Sequence, residues 1–319
     1  MKVSVIVTVL NEGEAIRPLL DSLIQQSRQP DEVVICDGGS SDNTLEILQE
    51  YTTWLPLKVI SEPGANISHG RNVAIAAAAG PIIASTDAGV VLNPYWLEDL
   101  VHPIEEQRAP VASGWFEPDP FTDFEVVMGD TVLPSRHDID PEEFLPSSRS
   151  VAFLKSAWEA VGGYPEWLDY SEDLIFDLAL REKYGAFPFV DTAVAYFRPR
   201  GSLRSFFRQY YLYARGDGKA NLWAKRHVVR YLTYLLGLPI LLRLIWHERK
   251  AGLPLLLLGV GTYCRRPATR LWGDTWGWRP PARLRAFALI PIIRLVGDVA
   301  KMIGYPVGLW WRMQNRHQV

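Results

Sequence analysis

Two hydrophobic periods alternate along the first part of the chain. The runs KVSVIVTVL (2–10), DEVVICDGG (31–39), LKVISE (57–62) and PIIASTD (81–87) are short, rich in Val and Ile, and stop at polar or glycine turns, as buried strands do. Between the first two, EAIRPLLDSLIQQS places Ile16, Leu19, Leu20, Leu23 and Ile24 at helical spacing. GGSSDNTLEILQEY offers Ser40, Ser41 or Asp42 as a cap before a second amphipathic helix, and HGRNVAIAAAAG reads as a third. Strands alternating with helices predict an α/β fold around a mainly parallel central sheet flanked by helices, a Rossmann-like arrangement. In such a sheet ligands bind along the edge where the strands end. Every strand end here carries a polar group: Asn11 and Glu12, then Asp37, Glu62 and Asp87. Each one alone is an ordinary turn or cap residue; together on one edge they predict a polar ligand site.

The pattern loosens over 95–200. NPYWLEDLVHPIEEQ predicts a helix, APVASGWFEP a strand, and SRSVAFLKSAWEAVGGYPEWLDYSEDLIFDLALREKYG a strand followed by two helices parted by a Gly-Gly turn. Past Ala224 the texture changes. VVRYLTYLLGLPILLRLIWH is an apolar stretch with only Arg230 and Arg243 charged before its end, GLPLLLLGVGTY is apolar but too short to span a bilayer, and LRAFALIPIIRLVGDVAKMIGYPVGLWW mixes arginine with apolar patches. The expected organisation is therefore an α/β domain over 1–224 and a helical region over 225–319.

Charge sharpens that division. The formal net charge of −3 hides 16 Lys and Arg against three acids (Glu248, Asp274, Asp298) in residues 225–319, and an acidic balance before them. Six of the 12 tryptophans, Trp246, Trp272, Trp276, Trp278, Trp310 and Trp311, also fall there. Arginine and tryptophan beside apolar runs suit an anionic membrane surface; a helical cap packed on the α/β domain is the alternative. No nucleic-acid-binding motif accompanies the charge, so nucleic acid is not an expected partner. The two cysteines, Cys36 and Cys264, have neither disulfide-framework nor zinc spacing, and a reducing compartment is expected. The opening MKVSVIVTVLNEGEAI lacks the cleavage pattern of a signal peptide. With 319 residues, 48% of them apolar, there is ample material for a large core.

The segments SVIVTVLNEGEAI, VVICDGGSSDNTLEIL, SEPGANISHGRNVAIAAAAG, ASTDAGVVL and VGGYPEWLDYSEDLIFDLALR, in this order, resemble the family 2 glycosyltransferases of the GT-A fold across roughly residues 1–215. The resemblance implies an inverting enzyme that moves a sugar from a nucleotide-diphosphate donor, UDP-, GDP- or TDP-linked, to an acceptor hydroxyl. It implies that Asp37 accepts a hydrogen bond from the base, that Val9 to Asn11 pack on the base, and that Glu12 approaches the ribose. Arg71 in the GRN triplet is the cation expected near the donor, although a surface ion pair would also explain it. In the family the fourth strand ends in an Asp-x-Asp motif whose last carboxylate binds a divalent metal, Mg²⁺ or Mn²⁺, that clamps the diphosphate. STD puts Ser85 at the first of these positions and Asp87 at the metal-binding one. Arg198 stands near where relatives often carry a histidine, and an arginine there could neutralise phosphate without metal.

By the same resemblance Asp173 is the base that takes the acceptor's proton, with Glu172 beside it; as a bare pattern, SED caps a helix. Gly162 and Gly163 form a turn where backbone can approach a ligand, and Arg215, Asp217 and Lys219 are candidates for a closing segment on the acceptor side. The acceptor expected is membrane-proximal or lipid-linked, as in cell-envelope polysaccharide or glycolipid synthesis, and the location is the cytoplasm or the cytoplasmic face of the cell membrane. Two rivals stand beside this reading. A sugar nucleotidyltransferase would need a glycine-rich basic phosphate loop, which VTVLNEGEAI lacks; a non-catalytic nucleotide-sugar-binding or scaffold protein draws support from Ser85.

Overall fold

The computed structural model describes residues 1–317. The chain divides into two units, Met1–Asp119 with Ser135–Arg198, and Pro120–Pro134 with the chain from Pro199 onward. Residue 224, where composition changes, falls within the second unit.

The first unit opens with β1 (Val3–Val9), α1 (Arg17–Ile24), β2 (Glu32–Asp37), α2 (Thr44–Tyr51), β3 (Leu57–Ser61), α3 (Ile67–Ala77) and β4 (Ile82–Ser85). It continues with β5 (Val90–Leu92), α4 (Trp96–Glu105) and β6 (Val111–Pro118). After an excursion into α5 (Asp123–Val132), which belongs to the second unit, come β7 (Val151–Leu154), α6 (Lys155–Ala160), α7 (Glu172–Tyr184) and β8 (Phe189–Phe197). The strands form an eight-stranded sheet in the order β3-β2-β1-β4-β7-β6-β8-β5. β3, β2, β1 and β4 run parallel, with Val9 opposite Asp37 and Ile6 opposite Ser85, so their C-terminal ends share one edge. β7 is antiparallel to both β4 and β6, and β5 to β8, which makes the sheet mixed.

Helices cover both faces, which is why the strands read as continuous rather than alternating apolar runs. Val5 and Val7 point to one side, among Leu19, Leu23 and Trp96 of α1 and α4; Ile6 and Ile83 point to the other, with Ile75 of α3 and Phe176 of α7. Asn66 caps α3 by accepting the His69 amide at 2.8 Å, and Asp42 accepts the Thr44 amide at 3.0 Å ahead of α2.

The second unit is helical: α5, α8 (Leu203–Ala220), α9 (Ala224–Leu232), a π turn at Thr233–Gly237, α10 (Leu238–His247), α11 (Arg249–Asp274) and α12 (Pro280–Gln314). Its core joins Val127 and Met128 to Phe206, Leu271, Ile290 and Ile293. α8 and α12 lie backbone against backbone: a Cβ on Gly218 would strike the Tyr305 carbonyl, one on Gly304 the Tyr211 carbonyl, and one on Gly308 the Arg215 carbonyl. Ala224–His247, continuous through the π turn, is long and apolar enough to cross a membrane, and its most apolar window is unburied within the chain.

Candidate active site

Asp87 stands where the chain leaves β4. The Thr86 amide donates to the Ile6 carbonyl at 3.2 Å and its hydroxyl to the Arg149 carbonyl at 2.9 Å, fixing the strand end between β1 and the approach to β7. Two guanidiniums hold the carboxylate: Arg71 Nη2 donates to Oδ1 at 2.9 Å and Arg149 Nε to Oδ2 at 3.2 Å. Burial alone would raise the Asp87 pKa; Arg149 and Arg71 outweigh it and hold the group below the usual carboxylate range.

Arg71, on the buried face of α3, also donates from Nη1 to Glu172 Oε1 at 2.7 Å, and its guanidinium lies 5.3 Å from the centre of the Tyr164 ring. One planar fork therefore bridges carboxylates from two distant segments, a geometry that a lysine cannot reproduce. The next residue sets the ring: Asn72 Oδ1 accepts the Tyr164 amide at 2.9 Å and Trp158 Nε1 at 3.0 Å. Gly163 must be glycine there, since its φ is +78° and a Cβ would lie 2.8 Å from Asn72 Oδ1. Gly162 has φ +80° with open space around it.

Glu172 and Asp173 open α7, directly after Ser171 at the left-handed φ of +65°, a conformation that a non-glycine residue holds only at a cost. Burial and the neighbouring Asp173 push Glu172 up to about 7 against the pull of Arg71. Asp173, half-buried, accepts the Leu174 amide on Oδ1 at 2.8 Å. One turn on, Asp177 is 2% exposed, and its Oδ2 has no hydrogen-bond partner among the described residues. Burial, then the charges of Asp173 and Glu172, push it well above the ordinary range despite Arg71.

A carboxyl whose folded pKa is raised stabilises the fold fully below its unfolded pKa, and that contribution drains away as pH rises toward the folded value. Asp177→Asn keeps the shape of the neutral acid and cannot ionise. Its thermal midpoint should match that of the parent near pH 3, below the ordinary Asp range, and exceed it by roughly a few degrees near pH 8. Equal midpoints at both pH values in a thermal scan would show that Asp177 is ionised in the fold.

Along the same edge Asp37 is buried, its carboxylate accepting the amides of Gly39 and Ser40 at 3.1 Å, while the Gly38 amide donates to Val9 at 2.9 Å. Asn11, at φ +54°, accepts the Ser41 amide at 2.8 Å and donates its own amide to Ser40 Oγ at 2.8 Å. The Glu12 amide donates to Thr44 Oγ1 at 2.9 Å. Burial, then the Asp87 and Asp42 charges, raise the Glu12 carboxyl, which places it in the field of the Asp87 cluster. β1 alone separates β2, with Asp37, from β4, with Asp87.

The fold thus brings Val9, Asn11, Glu12 and Asp37 to the edge that carries Asp87, and Arg71 ties Asp87 to Glu172 beside Asp173. Arg198 follows β8 and is exposed. Arg215, Asp217 and Lys219 lie on α8 in the second unit, where Asp217 faces His227 at 3.4 Å and Lys219 sits 4.7 Å from the Trp311 ring centre. Sequence reasoning passed over Arg149 and Asp177. Arg149 sits in a serine-rich stretch with no periodicity, and its one signal is a cation just ahead of a strand.

The residues at Asp87 do not fit a divalent ion as they stand. Both carboxylate oxygens carry guanidinium donors, and Ser85 Oγ, at the other position of the motif, is sealed in the sheet with no hydrogen-bond partner among the described residues. No group of three His, Cys, Asp or Glu side chains among the described residues could hold a metal.

Residues 4–146 match the model for "Glycosyl transferase family 2". Over 115 residues the chain is 35% identical to the poly(ribitol-phosphate) β-N-acetylglucosaminyltransferase TarS of Staphylococcus aureus, covering 35% of this chain and 20% of TarS. Over 112 residues it is 33% identical to YibD of Escherichia coli K12, named as a glycosyltransferase, covering 35% of this chain and 33% of YibD. The chain spans a third or less of the length of these relatives. Among solved structures, the mannosyltransferase PcManGT of Pyrobaculum calidifontis, in complex with GDP-Man and Mn²⁺, superimposes with a TM-score of 0.56 at 17% identity, covering 99% of this chain and 87% of that one. TarS 1-349 in complex with UDP-GlcNAc gives 0.51 at 22%, covering 98% and 92%. At these identities the structural likeness bears on the fold, which is GT-A. The segment that matches glycosyltransferase family 2 carries the sheet edge, its capping loops and Asp87.

Proposed function

We propose that the protein is an inverting glycosyltransferase that uses a nucleotide-diphosphate sugar. The observation that carries this reading is the Arg71 bridge, which sets Asp87 at the donor edge and Glu172 beside Asp173 in one cluster. The base and ribose lie along Val9, Asn11, Glu12 and Asp37. Asp173 takes the acceptor's proton as the hydroxyl oxygen attacks the anomeric carbon, and the bond from that carbon to the diphosphate breaks with its electrons passing to the diphosphate oxygen. Relatives and neighbours in complex with UDP-GlcNAc and GDP-Man support a donor of this class. Mn²⁺ or Mg²⁺ at Asp87, as the family pattern implies, would have to share the carboxylate with two guanidiniums, one on each oxygen.

The acceptor in this reading is membrane-proximal. Its support is the basic second unit, the helix Ala224–His247 with its unburied apolar window, and a groove of about 910 Å³ lined by leucines together with Arg230, Tyr263, Arg294 and Asp298. A second reading, nucleotide-sugar binding without transfer, is favoured by the sealed Ser85 hydroxyl. Incubating the protein with UDP-, GDP- and TDP-linked sugars and following release of the nucleoside diphosphate separates the two. The expected result is release from one donor class; saturable binding without release from any donor would establish the second reading.

A further inference from the structure

Arg149 is placed unlike the other cations of the first unit. Its guanidinium lies 4.4 Å from the centre of the Phe197 ring and 5.6 Å from that of Phe116, so the fork rests against two rings. Nε is engaged by Asp87 at 3.2 Å, while neither terminal nitrogen has a hydrogen-bond partner among the described residues, and the side chain is 20% exposed. A rigid guanidinium with free donors, held at the strand end where a donor's diphosphate would lie, has the geometry for bidentate contact with phosphate oxygens. Asp87 then serves as an anchor for this arginine. A divalent ion on the same carboxylate would sit beside two positive charges already within hydrogen-bond distance of it, and Ser85 withholds the second carboxylate that would offset them.

We propose that Arg149, anchored on Asp87 and seated over the Phe197 ring, is the cation that receives the donor's diphosphate, so that donor binding in this chain does not need a divalent metal. The inference deepens the glycosyl-transfer reading and rests on it. Arg149 supplies hydrogen bonds and charge to the leaving diphosphate; no proton or electron is exchanged with it.

Calorimetric titration of the full chain with UDP, GDP and TDP, each in excess EDTA and again with Mn²⁺, tests this without relying on turnover. The expected result is that one nucleotide binds in EDTA with a Kd within about threefold of its value in Mn²⁺. Arg149→Ala should weaken that binding by about tenfold or more while the matching nucleoside binds as before, because a hydrogen bond to a charged group is lost. Arg149→Lys, which keeps the charge and loses the fork, should fall between. Should Arg149→Ala fail to fold by circular dichroism, Arg149→Lys and the EDTA comparison on the unaltered chain still decide. Binding that vanishes in EDTA and returns with Mn²⁺, or that survives Arg149→Ala unchanged, overturns the proposal. If no nucleotide binds under either condition, the glycosyl-transfer reading falls and takes this inference with it.

Discussion

Asp173→Asn is expected to lower the turnover number for sugar transfer by about 10²- to 10⁴-fold, the usual contribution of a positioned general base, and to leave nucleotide affinity near its original value. The local structure makes this a clean test. Among the described residues the Asp173 carboxylate accepts a hydrogen bond from its own turn, the Leu174 amide at 2.8 Å, and the amide oxygen of asparagine can accept it equally well. What disappears is the capacity to take a proton. Because Asp173 also raises both Glu172 and Asp177, removing its charge should ease the ionisation of those two groups, so fold stability at neutral pH should not suffer. Steady-state kinetics on the donor identified by the product-release screen provide the measurement. Unchanged turnover would exclude Asp173 as the base and leave Glu172, now freer to ionise, as the group to examine.

The second large effect falls on stability. Arg71→Met leaves Asp87 with one of its two guanidiniums and Glu172 with none, and breaking a buried ion pair from one side typically costs about 3–5 kcal/mol. Arg71→Lys should recover only part of the loss, because a single ammonium cannot reach Glu172 Oε1 and Asp87 Oδ1 in the fixed geometry of the fork. The sign of the pH dependence follows from Asp87, whose folded pKa is depressed. Its pairing contributes stability above the ordinary carboxylate range and loses it as pH falls through the depressed value. The gap in urea midpoint between the parent and Arg71→Met should therefore be wide near pH 7 and narrow in acid. A gap that does not change with pH would mean that lost packing on Tyr164, rather than lost charge pairing, sets the cost.

The half of the sheet built from β1 to β4 was legible because β1, β2 and β4 are buried on both faces, the edge strand β3 is short and rich in β-branched residues, and each crossover is a single amphipathic helix, so the local pattern fixes both type and order. The other half was not. β7 inserts between β4 and β6, and Val90–Leu92 pairs with residues beyond 194, partnerships made across long stretches of chain that no local period encodes. The site divided in a similar way. Asp37, Asp87 and Arg71 stand at strand ends or beside a cap, where sequence position implies exposure to a ligand edge. Arg149 reaches Asp87 only because Phe116 and Phe197, from strands distant in sequence, form its platform. Asp177 looks like any polar residue on a helix; only the packing of α7 on the sheet seals it from water.

The glycine contacts between α8 and α12 limit how the second unit can work. Where two helix backbones touch through Gly218, Gly304 and Gly308, neither can slide or roll without driving a carbonyl into its neighbour. Arg215, Asp217 and Lys219 ride on that splinted pair, so they cannot swing as a loop would. Any stroke that carries them must take a helix of 35 residues along as a single lever.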